Sequence, residues 1–127
     1  MRSFLVNRMR TFIFTTALPP LNVAWTKFIL SRLESWNDRR EWLAKAALRV
    51  QEAVRALGCE CPSSSHIVPF IVGESSKTIL KAEDMQRKGF YVLPVRPPTV
   101  PEGTSRLRIS LTAAITEEEV DSLCREL

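Results

Sequence analysis

The tract Arg96-Pro97-Pro98-Thr99-Val100-Pro101-Glu102-Gly103, running on into Thr104-Ser105-Arg106-Leu107-Arg108-Ile109-Ser110-Leu111, constrains this chain more than any other stretch. Proline fixes φ and biases the residue before it toward extended backbone, so Pro97, Pro98 and Pro101 hold Arg96 to Val100 close to one path. Such a loop has little entropy left to lose on folding, and Thr99 sits inside it. Beyond Gly103 the pattern alternates as in a strand. Leu107, Ile109 and Leu111 share one face, and Arg106, Arg108, Ser110 and Thr112 the other. The segment is expected as an edge strand whose apolar face lies on a core. A guanidinium on its polar face can donate two parallel hydrogen bonds to a carboxylate, which lysine, as a point charge, cannot copy. Arg108 is therefore the candidate carboxylate ligand, although an arginine so placed is ordinarily a solvated surface residue.

The rest of the chain supplies elements for such a strand to pack with. Residues near Ser3 to Met9 read as the end of a helix, and Thr11 to Thr16 as an extended segment. Pro19-Pro20 starts a helix, since proline is tolerated in a first turn. Leu21, Trp25, Phe28, Trp36 and then Leu43, Ala47, Val50, Val54 and Leu57 recur at helical spacing, which reads as packing in a core or a domain interface. Asn37-Asp38 interrupts the run, Asp38 with Glu41 resembles a capping box, and Gly58 stops it, so two helices in series are expected. After a loop from Cys59 to His66 come a strand from Ile67 to Val72, a helix from Ser76 to Lys88 closed by Gly89, and a strand from Phe90 to Val95. The proline loop and the strand from Arg106 to Thr112 follow. Thr116 with Glu119 makes a further capping box, opening a last helix whose Val120, Leu123, Cys124 and Leu127 share a face. The fold class is α/β (α+β): a short antiparallel or mixed sheet with helices on one side.

At 127 residues and 45% hydrophobic content, the chain is long enough for one real core. Its 18 basic against 14 acidic residues leave +4, too little and too dispersed for a nucleic-acid surface, and no aromatics are interleaved with the charges. No apolar run is long enough to span a membrane and the N-terminus is charged, so a cytoplasmic location is expected. Cys59, Cys61 and Cys124 cannot all pair, and Cys59-Glu60-Cys61 is too close for a relaxed disulfide, so free thiols are expected. With His66 they make a poor zinc set, and no metal site is assigned. No glycine-rich phosphate loop, paired carboxylates or Ser-His-Asp order is present.

The proline tract resembles the C-terminal signature of the α-oxoamine synthases, pyridoxal-phosphate enzymes of fold type I that condense an amino acid with an acyl thioester and release carbon dioxide. The double proline followed by Thr-Val-Pro-Glu-Gly-Thr is most similar to the branch serving biotin synthesis, whose substrates are L-alanine and a pimeloyl thioester on coenzyme A or a carrier protein. Two further blocks agree, in the family's order. Leu5-Val6-Asn7-Arg8 with Arg10-Thr11-Phe12-Ile13-Phe14-Thr15-Thr16-Ala17-Leu18-Pro19-Pro20 resembles the crossover from large to small domain. Ile67-Val68-Pro69-Phe70-Ile71-Val72-Gly73 resembles the first strand of the small domain.

That resemblance implies an organisation in which residues 1–20 are the crossover segment, 21–57 connecting helices and 58–127 the small C-terminal domain, as one structural unit. It assigns Arg108 to the substrate carboxylate and Thr99 to a substrate contact in the proline loop. Thr15 and Thr16 match positions beside the cofactor phosphate of the neighbouring subunit in a homodimer, although two β-favouring residues ending a strand need no such role. The lysine that bonds to pyridoxal 5'-phosphate in this family lies upstream of the crossover, and Lys27, Lys45, Lys77, Lys81 and Lys88 do not match it. The chain is thus expected to be the C-terminal portion of an enzyme, inactive and without cofactor by itself. Family members using glycine or serine with other acyl thioesters are one alternative. A free-standing, non-catalytic ligand-binding module is another.

Overall fold

The computed structural model describes residues 1–10 and 17–127, and these divide into two compact units, residues 1–36 and 37–127. The extended segment expected from Thr11 to Thr16 lies outside the described residues.

The first unit contains helix α1 (Arg2–Arg8), helix α2 (Pro20–Arg32) and a single 3-10 turn (Glu34–Trp36). Pro20 opens α2 as expected, with Pro19 at the N-cap and its carbonyl accepting from Asn22 and Val23 N–H at 2.9 and 3.3 Å. The apolar residues of α2 do not converge on one buried face. Leu21, Val23, Trp25, Phe28 and Leu30 are all exposed, Trp25 by 62%. Trp25 stacks on Phe28 at 5.6 Å between ring centroids, and the Arg32 guanidinium lies over the Phe28 ring at 4.5 Å. Of the expected packing in a core or a domain interface, Trp25 and Phe28 do not take the core among the described residues: the apolar residues of α2 are spread around its circumference, so no single side of it is the inner one.

The second unit holds the core. Helix α3 (Asn37–Ala56) begins where Asn37-Asp38 was expected to interrupt the helical run and ends before Gly58. Asp38 lies inside its first turn and not at a cap, and the local side-chain bond is from the Arg40 guanidinium to Asn37 Oδ1. Strand β1 (Ile67–Gly73), helix α4 (Ser75–Arg87), strand β2 (Leu93–Val95), strand β3 (Ser105–Ser110) and helix α5 (Glu117–Glu126) follow. The sheet is antiparallel throughout, in the order β1-β3-β2, which makes β3 its central strand and not an edge. Val68 pairs with Ile109 and Phe70 with Leu107, so the two strands bury the same face. Helix α4 packs on all three strands, and α3 packs on β1 and on α5, which encloses Val50, Val54, Met85, Leu107, Val120 and Leu123.

Strand β2 is shorter than the expected Phe90 to Val95. Phe90 N–H bonds Met85 O at 2.9 Å, Val92 N–H bonds Phe90 O at 3.0 Å, and Gln86 Nε2 donates to Val92 O at 2.9 Å. Those bonds hold residues 90–92 against the end of α4 and leave only Leu93–Val95 to pair. The Thr116–Glu119 capping box forms with both of its bonds, at 3.2 and 2.7 Å. Trp42 Nε1 donates to Ile115 O at 2.8 Å, fastening α3 to the approach of α5. Arg49 of α3 is paired to both Glu117 and Asp121 of α5.

Candidate carboxylate site on the open face of the sheet

The alternation of β3 decides what the uncovered face of the sheet presents. With Leu107 and Ile109 turned to the helices, Arg106 and Arg108 stand on the other side. Arg108 lies in cross-strand register with Pro69 of β1 and Leu93 of β2, and Arg106 with Ile71 and Val95. Proline at position 69 fills space beside the guanidinium without adding a competing polar group. Both arginines line a cavity of about 370 Å³ whose opposite wall is the loop from Pro62 to Ser65. Arg108 is exposed, and its guanidinium has no hydrogen bond or ion pair among the described residues. It is thus free to take an external carboxylate.

The wall is built by its own serines. Ser63 Oγ donates to Ile67 O at 2.6 Å, and Ser65 N–H and Ile67 N–H donate to the hydroxyls of Ser63 and Ser65 at 3.1 and 3.2 Å. Gln51 Nε2, from the buried face of α3, donates to Ser65 O at 2.9 Å and ties the loop to the core. His66 is exposed at the entrance of β1, and its carbonyl accepts from Leu111 N–H at 3.0 Å.

The proline loop leaves the cavity rim. Its Pro97–Pro98 peptide is cis, and Thr99 N–H donates to Arg96 O at 3.0 Å. Thr99 is exposed and is not among the described residues that line the cavity with Arg108. The end of the loop is fixed: Thr104 Oγ1 donates to Pro101 O at 2.7 Å and Arg106 Nε to Thr104 O at 3.0 Å. Gly73, at φ +94°, lies so close to the loop that a Cβ there would stand 3.4 Å from Gly103 O. Thr15 and Thr16 lie outside the described residues. Sequence reasoning passed over Arg106 and the Pro62–Ser65 wall. The shared strand face signalled the first, and nothing local signalled the second.

A larger cavity, about 830 Å³, opens at the far end of β3 between residues 88–92 and the start of α5. Two of its charged groups are already engaged, Glu119 in the capping box and Lys88 with Asp84 at 3.0 Å and Glu126 at 2.8 Å, while Glu118 is exposed at its rim. Hydrogen bonds to Glu126 and then Asp84 raise the Lys88 ammonium above its ordinary range, and those from Lys88 and then Arg87 hold the Asp84 carboxyl below its own. These pairs join α4 to α5 and form a structural clasp.

The chain matches the family of class I and II aminotransferases over residues 1–127, and it belongs to that family. Within it the chain stands with the α-oxoamine synthases. It is 48% identical over 120 residues to a putative 8-amino-7-oxononanoate synthase of Haemophilus influenzae, covering 94% of this chain and 32% of the relative. It is 46% identical over 123 residues to the 8-amino-7-oxononanoate synthase of Haemophilus ducreyi, covering 96% and 32%. Among solved structures, the serine palmitoyltransferase of Sphingomonas wittichii superposes with a TM-score of 0.83 at 27% identity, over 98% of this chain and 32% of that one. The 8-amino-7-oxononanoate synthase of Francisella tularensis superposes at 0.77 and 25% identity, over 98% and 37%. The chain spans about a third of the length of the curated relatives it matches.

Pyridoxal phosphate needs an amine to bond to, a face to stack on its ring and a partner for the ring nitrogen. Among the described residues, no lysine, aromatic residue or acid lines the cavity at Arg108. Lys77 is paired with Glu74 at 3.1 Å, Lys81 donates to Glu126 O at 3.2 Å, Lys88 is in the clasp, and Lys45 lies exposed on α3. Lys27 belongs to α2. The described residues of this chain do not by themselves fit the cofactor.

Proposed function

We propose that this chain is the carboxylate-holding part of a pyridoxal-phosphate-dependent α-oxoamine synthase that condenses L-alanine with a pimeloyl thioester and releases carbon dioxide, as in biotin synthesis. The observation that carries the reading is Arg108: a guanidinium with no partner among the described residues, on a central strand, lining a cavity and in register with two apolar cross-strand neighbours. The 46–48% identity to 8-amino-7-oxononanoate synthases supports the choice of amino acid and acyl partner.

The role of Arg108 is orientation. A bidentate pair with the amino acid's carboxylate fixes that group in a plane, and the bond to the group that will leave is fixed with it. Because β3 is central and its opposite face is buried, the arginine's backbone is paired on both sides and packed from behind. Pro69 and Leu93, its cross-strand partners, carry no polar side-chain group to compete for the guanidinium. Thr99, on the rigid loop, and Thr15 and Thr16 act on substrate and on the neighbouring subunit's cofactor phosphate only once the rest of a homodimeric enzyme is in place. Alone, the chain is expected to be inactive, because among the described residues no lysine lines the cavity at Arg108.

The structural likeness to serine palmitoyltransferase favours a second reading, condensation of serine with a different acyl thioester. The experiment that separates them joins this chain to the remaining two-thirds of the Haemophilus ducreyi relative and measures release of carbon dioxide from carboxyl-labelled amino acids. Release from L-alanine in the presence of pimeloyl thioester supports the first reading. Release from serine alone supports the second, and release from neither contradicts both.

A further inference from the structure

The cavity that presents Arg108 holds a second guanidinium. Arg106 stands two residues earlier on the same face of β3, about 6.5–7 Å along the strand, and lines the same space. Its Nε is committed to Thr104 O at 3.0 Å, which fixes one edge of the guanidinium and leaves both terminal nitrogens without a partner among the described residues. No carboxylate pairs with either arginine among the described residues, where the ion pairs involve Arg49, Lys77, Arg87 and Lys88.

The facing wall cannot satisfy these charges. Ser63 Oγ gives its one hydrogen to Ile67 O, so Ser65 Oγ is the donor in the 3.2 Å contact between the two hydroxyls. Both serine hydrogens are thus spent inside the loop, and Pro69 and Val95 add only apolar surface. Two cations, a largely apolar lining and no anion among the described residues within about 370 Å³ suit two anionic groups with apolar chain between or beside them. The carboxylate of a neutral amino acid accounts for one. It carries no second anion, so the other belongs to the co-substrate.

We infer that Arg106 forms a second anion subsite that takes the free distal carboxylate of an acyl thioester, and so selects a dicarboxylic over a monocarboxylic acyl chain. The inference rests on the proposed carboxylate role of Arg108. It adds a specificity-determining residue: Arg106 reads the far end of the acyl chain while Arg108 holds the amino acid. A chain of methylenes ending in methyl would leave the Arg106 terminal nitrogens without an anion, which is the basis of discrimination.

The test uses the full 127-residue chain with heptanedioate, heptanoate and inorganic phosphate as probes, followed by calorimetry and by the Nε–H resonances of Arg106 and Arg108. Heptanedioate should bind about tenfold more tightly than heptanoate and move both resonances, and Arg106→Gln should bring it to the affinity of heptanoate. Arg106→Lys should keep part of the preference, since the charge remains and the fork is lost. Equal affinities in the unaltered chain, or a preference that survives Arg106→Gln, overturns the subsite. So does an Arg106→Gln chain that loses phosphate binding but keeps the heptanedioate preference. If Arg108→Gln changes the binding of neither carboxylate, the carboxylate role of Arg108 fails, a result distinct from failure at Arg106. In an enzyme completed by the Haemophilus ducreyi portion, Arg106→Gln should lower the kcat/KM ratio of pimeloyl over heptanoyl thioester about tenfold, and an unchanged ratio contradicts the inference.

Discussion

Leu107 and Arg108 are adjacent on the central strand and face opposite ways: Leu107 is fully buried against Phe70 and Pro94, and Arg108 is exposed between Pro69 and Leu93. One register therefore sets both the core and the site. A slip of one residue would bury the guanidinium and expose the leucine, so the packing that stabilises the unit also aims the ligand.

Leu107→Ala should cost about 2–5 kcal/mol of stability, because its neighbours on three elements cannot collapse into the space. Arg108→Ala, at an exposed position without a partner among the described residues, should stay within about 0.5 kcal/mol. Urea unfolding of the two variants checks both. A larger loss for Arg108 than for Leu107 would mean the strand is turned over.

Thr116→Ala removes the side-chain half of the α5 capping box and should cost about 1 kcal/mol, with Thr116→Gly costing less. Thermal unfolding reads the difference. No loss in either variant would show that the start of α5 is held by the Arg49 pairs alone.

The α4–α5 clasp gives stability a dependence on acid. The Asp84 carboxyl is held below its ordinary value by Lys88 and then Arg87, so its contribution is present above the unfolded value of about 3.9 and is lost as pH falls through the lower folded value. Lys88 has the opposite sign: raised by Glu126 and then Asp84, it contributes below its unfolded value of about 10.4 and loses that contribution as pH rises through the folded one. Lys88→Met should flatten both ends of the stability profile measured by denaturant at pH 2.5 to 11.5. A profile parallel to that of the unaltered chain would show that the pairs are loose in solution, as exposed pairs often are.

Trp25 should be the most readily quenched of the three tryptophans, since it lies exposed on α2 while Trp36 is half-buried and Trp42 is half-buried and hydrogen-bonded. Trp25→Phe should remove most of the acrylamide-quenchable emission. Emission that resists quenching until Trp25 is removed would mean that the apolar surface of α2 is covered in solution.

What could be read from the sequence was local. Pro20, Gly58, Gly89 and the Thr116–Glu119 pair each act within a turn of the chain, and the element ends they mark are found there. The alternation of Leu107, Ile109 and the two arginines likewise needs no partner to be legible. Strand order does need partners, and so β3 read as an edge although Pro69 and Leu93 flank it. The shortening of β2 depends on Gln86 reaching Val92 O, a side-chain bond that no propensity contains. The choice between core and domain interface for Trp25 was not legible, because helical spacing of apolar residues says that a stripe exists, not what covers it. The wall of the site from Pro62 to Ser65 meets Arg108 only through the pairing of β1 with β3, which is long-range information.

The central claim is that Arg108 holds the amino acid's carboxylate, and the most direct measurement is the KM for L-alanine in the completed enzyme with Arg108, Arg108→Lys and Arg108→Ala. The account predicts a raised KM and a kcat/KM lowered by about 2 kcal/mol or more for alanine at 108, with only partial recovery by lysine, whose point charge cannot supply the fork. Alanine kinetics unchanged by either substitution would contradict it.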